Sequence, residues 1–208
     1  MFSSLSNFTK LTIVQSFYSY ALNRKNSTYT LAGLALRLSL TLGLHRNIKY
    51  GPGISAMEIE NRRRVWWTCY TFDRLSSLKL GHPVTIRDED IDCPMPSMDG
   101  LSDEERKEFA DPEHMTVNVK LTRISGTILN LLYSAPGQKA ESRFIKDIQT
   151  IFRDLDELQK NLPKHLRLDR TVSPPTFRTR NVASLCLHFN EVCTKNFLPS
   201  PILFRQSR

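Results

Sequence analysis

Apolar residues along this chain recur mostly at intervals of three and four, the spacing that puts side chains on one face of a helix. Leu11, Val14, Tyr18 and Leu22 form one such stripe, and the polar run NRKNST ends it. Ser27 or Thr28 is placed to cap a second helix with its stripe at Leu31, Leu34, Ala35, Leu38 and Leu42, and Gly43 supplies a left-handed residue at its end. Two antiparallel helices are expected. After NIKYGPG, Ser55 and Glu58 stand as in a capping box and open a third helix. Between Val65 and Phe72 that helix is apolar on nearly every side, through Val65, Trp66, Trp67, Cys69, Tyr70 and Phe72. A helix that is apolar all round is a buried one. Gly81 and Pro83 end it, and PVTIRDEDIDCPMPS continues as extended chain, because each proline disfavours the helical region for the residue before it.

Further along, SDEERKEF reads as a short surface helix with its acids near the positive end. Two long helices follow, with stripes at Val117, Leu121, Ile124, Ile128 and Leu131 and at Phe144, Ile148, Ile151, Leu155, Leu158 and Leu162, the second stopped by Pro163. KHLRLDRTVSPPTFRT reads as a basic loop, and a last helix carries Val182, Leu185, Phe189 and Val192 on one face. No repeat recurs at a fixed period, which argues against a solenoid. The pattern predicts an all-α, multi-helix domain built around a buried central helix, with residues 1–208 treated as one unit.

Composition refines this picture in three ways. No apolar run approaches the roughly 20 residues needed to cross a bilayer, so no membrane partner is expected. The opening MFSSLSNFTKLTIVQSFY lacks a basic region followed by an unbroken apolar core, so it does not read as a secretory leader and points to the cytosol or nucleus. The net charge of +8 is unevenly spread. Residues 1–86 carry 11 basic against 3 acidic side chains, residues 87–113 carry 3 against 11, and residues 114–208 carry 15 against 7. An acidic strip between basic halves suits internal pairing or a protein partner at least as well as a phosphate backbone, which it would repel.

Few residues suggest chemistry. Arg62, Arg63 and Arg64 occupy successive helical positions spanning about 200 degrees, too wide an arc to face one groove; some should lie along the surface while one turns to a carboxylate. Asp73 lies on the face of Tyr70 and Trp66, where a lone charge is costly, so a basic partner is expected, with Arg37 the first candidate. Cys69, Cys93, Cys186 and Cys193 form no C-x-x-C pair and read as free thiols, and with His45 and His82 they make no regular metal spacing. RDEDID lacks the glycine and distal glutamate of a calcium loop and reads as solvated or arginine-paired. No phosphate loop, nucleophile elbow or zinc-protease helix occurs, so there is no support for an enzyme. Lys160, Lys164, Arg167, Arg170, Arg178 and Arg180 face only Asp169, which leaves a weak nucleic-acid contact open alongside a plain interaction scaffold.

Taken in order, these segments resemble the fungal-specific transcription factor domain, the middle regulatory region of zinc binuclear cluster regulators, including the xylanolytic-activator type. LTIVQSFYSYALNRKNSTYTLAGLALRLSLTLGLHRN is similar to that family's paired helices, with Gly33, Ala35, Arg37, Leu42, Gly43, Leu44, His45 and Arg46 matching its second helix. EIENRRRVWWTCYTFDRLSSLKLGHP resembles its central segment through Arg62, Arg63, Arg64, Trp66, Trp67, Tyr70, Asp73 and Arg74, followed by the turn at Gly81 and Pro83. IRDEDIDCPMPS resembles the acidic strip after it, so the strongest match covers residues 11–97. Ser39 stands where the family usually has alanine, His82 where it often has arginine and Leu158 where it often has tryptophan, the first two expected at a helix surface and a turn.

The resemblance implies regulation of transcription in the nucleus, through an inducer response, restraint of an activating region or contacts with co-regulators and other regions of a parent factor. It implies zinc and DNA binding only through a six-cysteine cluster, which this sequence lacks, and helices upstream of Leu11, so a truncated domain with no cofactor of its own is expected. Trp66, Trp67 and Tyr70 are the candidates to line a small-molecule pocket, with plain core packing the alternative.

Overall fold

The computed structural model describes residues 2–48, 53–133, 141–167 and 177–197, with side chains described within 6–48, 53–131, 145–167 and 181–193. All regular structure among these residues is helical, as the periodicity predicts. In chain order it comprises α1 (Phe2–Ala21), α2 (Lys25–Thr41), α3 (Ala56–Leu80), a 3-10 turn (Asp88–Asp90), α4 (Asp103–Lys107), α5 (Pro112–Tyr133), α6 (Glu141–Lys160), a second 3-10 turn (Lys164–Leu166) and α7 (Phe177–Phe197). The chain divides into two compact units, Met1–Gln138 and Lys139–Arg208. None of the described helices is long and apolar enough to cross a membrane.

In the first unit α1 and α2 form a hairpin closed by Asn23, whose φ of 56° is left-handed. Asparagine tolerates that conformation because its short amide bonds locally. The reversal is tight, with Arg24 N donating to Ser19 O at 2.9 Å, so α2 begins at Lys25, before either expected cap. Its N-cap residue, Arg24, makes no side-chain cap bond. Thr28 lies inside the helix and its hydroxyl donates back to Arg24 O at 2.9 Å.

The face that α1 buries is also not the expected one. Thr9, Thr12, Ile13, Ser16 and Ser19 are buried, whereas Leu11, Val14, Tyr18 and Leu22 are 54, 61, 66 and 45% exposed. The buried residues of α2 are Thr28, Ala32, Ala35, Leu36 and Ser39, while Leu34 faces out. Small side chains on both partners let the two backbones approach closely, and Ser16 Oγ donates to Thr28 O at 3.1 Å across the contact. Ser39 is therefore an interior residue and not a surface one: fully buried, it donates to Ala35 O and approaches Cys69 Sγ at 3.3 Å.

Helix α3 is the centre of this unit, packed against α2 and α5 and touched by α1. Ser55 caps it by accepting from Glu58 N at 3.1 Å, and Gly81, at φ 68°, ends it in the left-handed geometry that glycine adopts without strain. Trp66, Trp67, Cys69, Tyr70 and Asp73 are 0% exposed. Phe72 meets α1, its ring 3.8 Å from that of Phe17. Helix α5 presents Val117, Leu121, Ile128 and Leu131 as predicted, with Val119 and Leu129 also buried. After α3 the chain turns back along it: Asp92 N and Cys93 N donate to His45 O at 3.2 and 3.0 Å, and Trp67 Nε1 donates to Pro94 O at 2.9 Å. Helix α4 is the expected surface helix, with a full capping box between Ser102 and Glu105.

In the second unit Ile151 and Leu155 of α6, Leu166 of the 3-10 turn, and Val182, Leu185 and Val192 of α7 are buried. These are predicted stripe positions, Leu166 excepted. The side chain of Phe144 lies outside the described residues.

Candidate functional site

The family-like residues converge on one feature: an acidic strip clasped onto the buried helix α3 by charged side chains. Its first point is Glu60, 2% exposed, on the first turns of α3. Glu60 Oε1 accepts from Arg64 Nε at 2.6 Å, Oε2 lies 3.8 Å from Arg63 Nη1, and Oε2 accepts from Ser97 N at 3.1 Å. Arg64 also donates to Ala110 O at 2.8 Å and stacks over Phe109 at 4.8 Å, while Arg62 donates to Leu42 O at 3.0 Å. Arg62 and Arg64 thus tie α3 to two separate segments, while Arg63 and Arg64 pair with Glu60 on the helix itself.

The second point is Arg74, 2% exposed despite its charge. Its guanidinium lies over the Tyr70 ring at 4.1 Å, donates twice to Ile86 O and reaches Asp88 Oδ1 at 2.7 Å. Tyr70 donates to the same Asp88 oxygen at 2.6 Å. Burial holds the Tyr70 phenol well above its ordinary value, with Arg74 opposing, so it remains the protonated donor this contact needs. Gly126 of α5 makes room: a Cβ there would stand 3.3 Å from Arg74 Nε. A glycine inside a helix is unfavourable by about 1 kcal/mol relative to alanine, and close passage of Arg74 accounts for it.

The third point is Asp73, and here the expected partner is replaced. Arg37 is exposed and makes no ion pair with Asp73; it contributes only a distant attraction. Instead the carboxylate is held by Thr85, whose hydroxyl donates to Oδ1 at 2.6 Å and whose amide donates to Oδ2 at 3.2 Å. Helix α3 ends at Leu80, about two turns past Asp73, and the strip then turns back and brings Thr85 over it, whereas Arg37 is exposed on α2. Burial raises the Asp73 carboxyl above its ordinary 3.8, with the Thr85 bonds and the charges of Arg74 and Arg37 opposing.

The other signature residues frame this clasp. Gly43, at φ 65°, ends the turn after α2, and Arg46 lies 3.8 Å from Asp92. His45 packs its ring 5.7 Å from Trp66, and its imidazole is lowered below 6.5 by burial first and Arg46 second. Pro83 O accepts from Ser77 Oγ at 3.4 Å. Gly33 has open space where a Cβ would stand, so nothing in the structure explains a glycine there. Trp66, Trp67 and Tyr70 pack on one another at 5.2 to 6.5 Å between ring centres and fill the core. A half-open cleft of about 480 Å³ lies elsewhere, between the start of α1, the end of α2 and the start of α3, beside Lys10, Leu42, Leu44, Glu58, Arg62 and Val65.

Of the basic loop, residues 168–176 lie outside the described residues, and so do the side chains of Arg178 and Arg180. Lys160 pairs with Asp156 at 2.5 Å, and Arg167 donates to Leu162 O and Lys160 O. Burial pushes the Cys69 and Cys93 thiols up to about 11 and about 12, away from the thiolate a metal requires.

Sequence reasoning missed Thr85 and Gly126. The glycine carried a signal, since a glycine inside an apolar helical stripe asks what passes close to it. Thr85 carried none, because only the return path of the strip brings it to Asp73.

The chain belongs to the family of fungal specific transcription factor domains, which it matches over residues 1–160. It is 28% identical over 204 residues to an uncharacterized transcriptional regulatory protein of Schizosaccharomyces pombe, covering 97% of this chain and 25% of that protein. It is 32% identical over 161 residues to the negative regulator of pleiotropic drug resistance STB5 of Candida glabrata, covering 75% and 16%. With the transcriptional activator protein acu-15 of Neurospora crassa the identity is 31% over 152 residues, covering 69% and 16%. The chain thus spans a quarter or less of the length of these relatives. No solved structure matches it.

Proposed function

We infer that this chain is the regulatory core of a nuclear transcription regulator, one that governs other regions or partners of that regulator and does not itself read DNA. The observation that carries the reading is the use made of the basic triplet and Arg74. Arg62, Arg63, Arg64 and Arg74 all point to acceptors within the chain, on Leu42, Glu60, Ala110, Ile86 and Asp88, so the most arginine-rich segment offers little to a phosphate backbone. The strip they hold is itself acidic and repels one. In this reading the domain works as a helical body, without catalysis and without a cofactor of its own. It acts through restraint of an activating region or contact with co-regulators. The cleft beside Lys10 and Glu58 is the place for a small-molecule inducer, since its volume falls within the range of ligand pockets.

The test is a fluorescence-anisotropy titration of the chain with a duplex and its scrambled counterpart at near-physiological salt. Weak, salt-sensitive binding without preference is expected. Discrimination beyond about thirtyfold, roughly 2 kcal/mol, would mean that this helical region reads sequence and would overturn the proposal.

A further inference from the structure

We propose that Thr85 is a phosphorylation site for an acid-directed serine/threonine kinase, and that phosphate on it releases the acidic strip from α3. Three observations meet at this residue. It is exposed, at a bend between Gly81 and the 3-10 turn at Asp88. Its hydroxyl and amide supply the hydrogen bonds that satisfy Asp73, a carboxylate with no exposure of its own. Three, four and five positions further on stand Asp88, Glu89 and Asp90, all exposed. A kinase whose peptide groove is basic recognises acids in that register by charge complementarity.

The chemistry is an ordinary phosphoryl transfer. The Thr85 hydroxyl turns outward by rotation about χ1 and its oxygen attacks the γ-phosphorus of a nucleoside triphosphate. The new O–P bond forms as the bond to the β–γ bridging oxygen breaks. The hydroxyl proton passes to the kinase's base, and nucleoside diphosphate leaves.

The consequence follows from what the hydroxyl was doing. A phosphothreonine carries a charge of about −1.5 to −2 and no longer has a hydroxyl proton to donate. Set against Asp73, it puts two anions where one was already disfavoured by burial, so the segment must move away. Asp73 then loses both donors, and the neighbouring bonds to Ile86 and Asp88 go with the same segment. The site stands on the geometry alone; only the use of the switch in transcription rests on the regulatory reading, which the DNA titration tests separately.

The experiment treats the purified full chain with an acid-directed kinase and magnesium ATP, maps phosphate by tandem mass spectrometry and records thermal melting before and after. A synthetic peptide spanning Val84 to Asp92 serves as the positive control for the kinase. The expected result is phosphate on Thr85 of the folded chain, retained in Thr85→Ser, slowed in the double variant Glu89→Gln and Asp90→Asn, and accompanied by a fall in melting temperature. In Asp73→Asn, where the opposing charge is gone, the fall should be markedly smaller. Phosphate on the peptide but not on Thr85 of the chain would overturn the proposal. So would phosphorylation that leaves the melting temperature unchanged, or a fall equally large in Asp73→Asn.

Discussion

At the scale of single residues, Asp73 shows how a buried charge is tolerated when no cation reaches it. Its carboxylate is satisfied by one residue, Thr85, and burial still raises its proton affinity. In the unfolded chain the group titrates near its ordinary value, so the folded state binds the proton more tightly. The stability this confers is complete below about pH 4 and is lost as pH rises through the elevated folded-state value. Asp73→Asn lacks that titration while keeping an acceptor for the Thr85 amide. Urea unfolding of both proteins across pH 4 to 8 should therefore show the wild type losing ground to the variant as pH rises. Parallel curves would show that Asp73 titrates alike in both states. The residue also marks a limit of sequence reading. That Asp73 is buried was legible from Trp66 and Tyr70 on its face, but its partner was not, because a threonine at a bend outside any helix has no periodicity to place it.

At the scale of elements, stripe reading succeeded where a helix packs through large apolar side chains and failed where it packs through small ones. Val117, Leu121 and Ile128 of α5 are buried as their spacing predicts, whereas Leu11, Val14 and Tyr18 of α1 face outward. The buried faces of α1 and α2 are mostly threonines, serines and alanines, with Ile13 and Leu36 among them, and a hydrophobicity pattern does not register the small size that lets such faces pack. Substitution should separate the two faces. Leu11→Ser and Val14→Ser are expected to change unfolding free energy by no more than about 0.5 kcal/mol. Ser16→Leu, forced between α1 and α2, should cost about 1 to 3 kcal/mol. Chemical denaturation of the three variants checks this, and a large loss at Leu11 or Val14 would place that face in the core after all.

At the scale of the whole molecule, both tryptophans belong to the first compact unit, with His45, Tyr70, Pro94 and Arg123 around them. A chain ended after Gln138 should therefore keep a cooperative unfolding transition by tryptophan fluorescence, starting from the blue-shifted emission of a buried indole. Red-shifted emission without a transition would mean that the first unit does not hold together by itself. The all-helical class and the central position of α3 were readable from the chain, because periodicity is a property of sequence, whereas charge segregation left the acidic strip solvated, paired with arginines or held by a partner. The identity of each pair in the clasp was not readable, since those bonds depend on where the chain goes after Gly81.

The return of that strip also fixes an order of events in time. The α1 and α2 hairpin closes through near neighbours, but the clasp joins residues 12, 14, 18, 27 and 37 positions apart, at Asp73 with Thr85, Arg74 with Asp88, Tyr70 with Asp88, Trp67 with Pro94 and Glu60 with Ser97. Loop closure over such distances has an entropy cost before any bond forms, so local helices assemble ahead of the strip. The strip is then expected to close after the local helices and to open before them. Disrupting its contacts should hasten unfolding while leaving the folding rate nearly unchanged, and loosening this acidic segment should let solvent reach Trp67, which it covers through Pro94, more often.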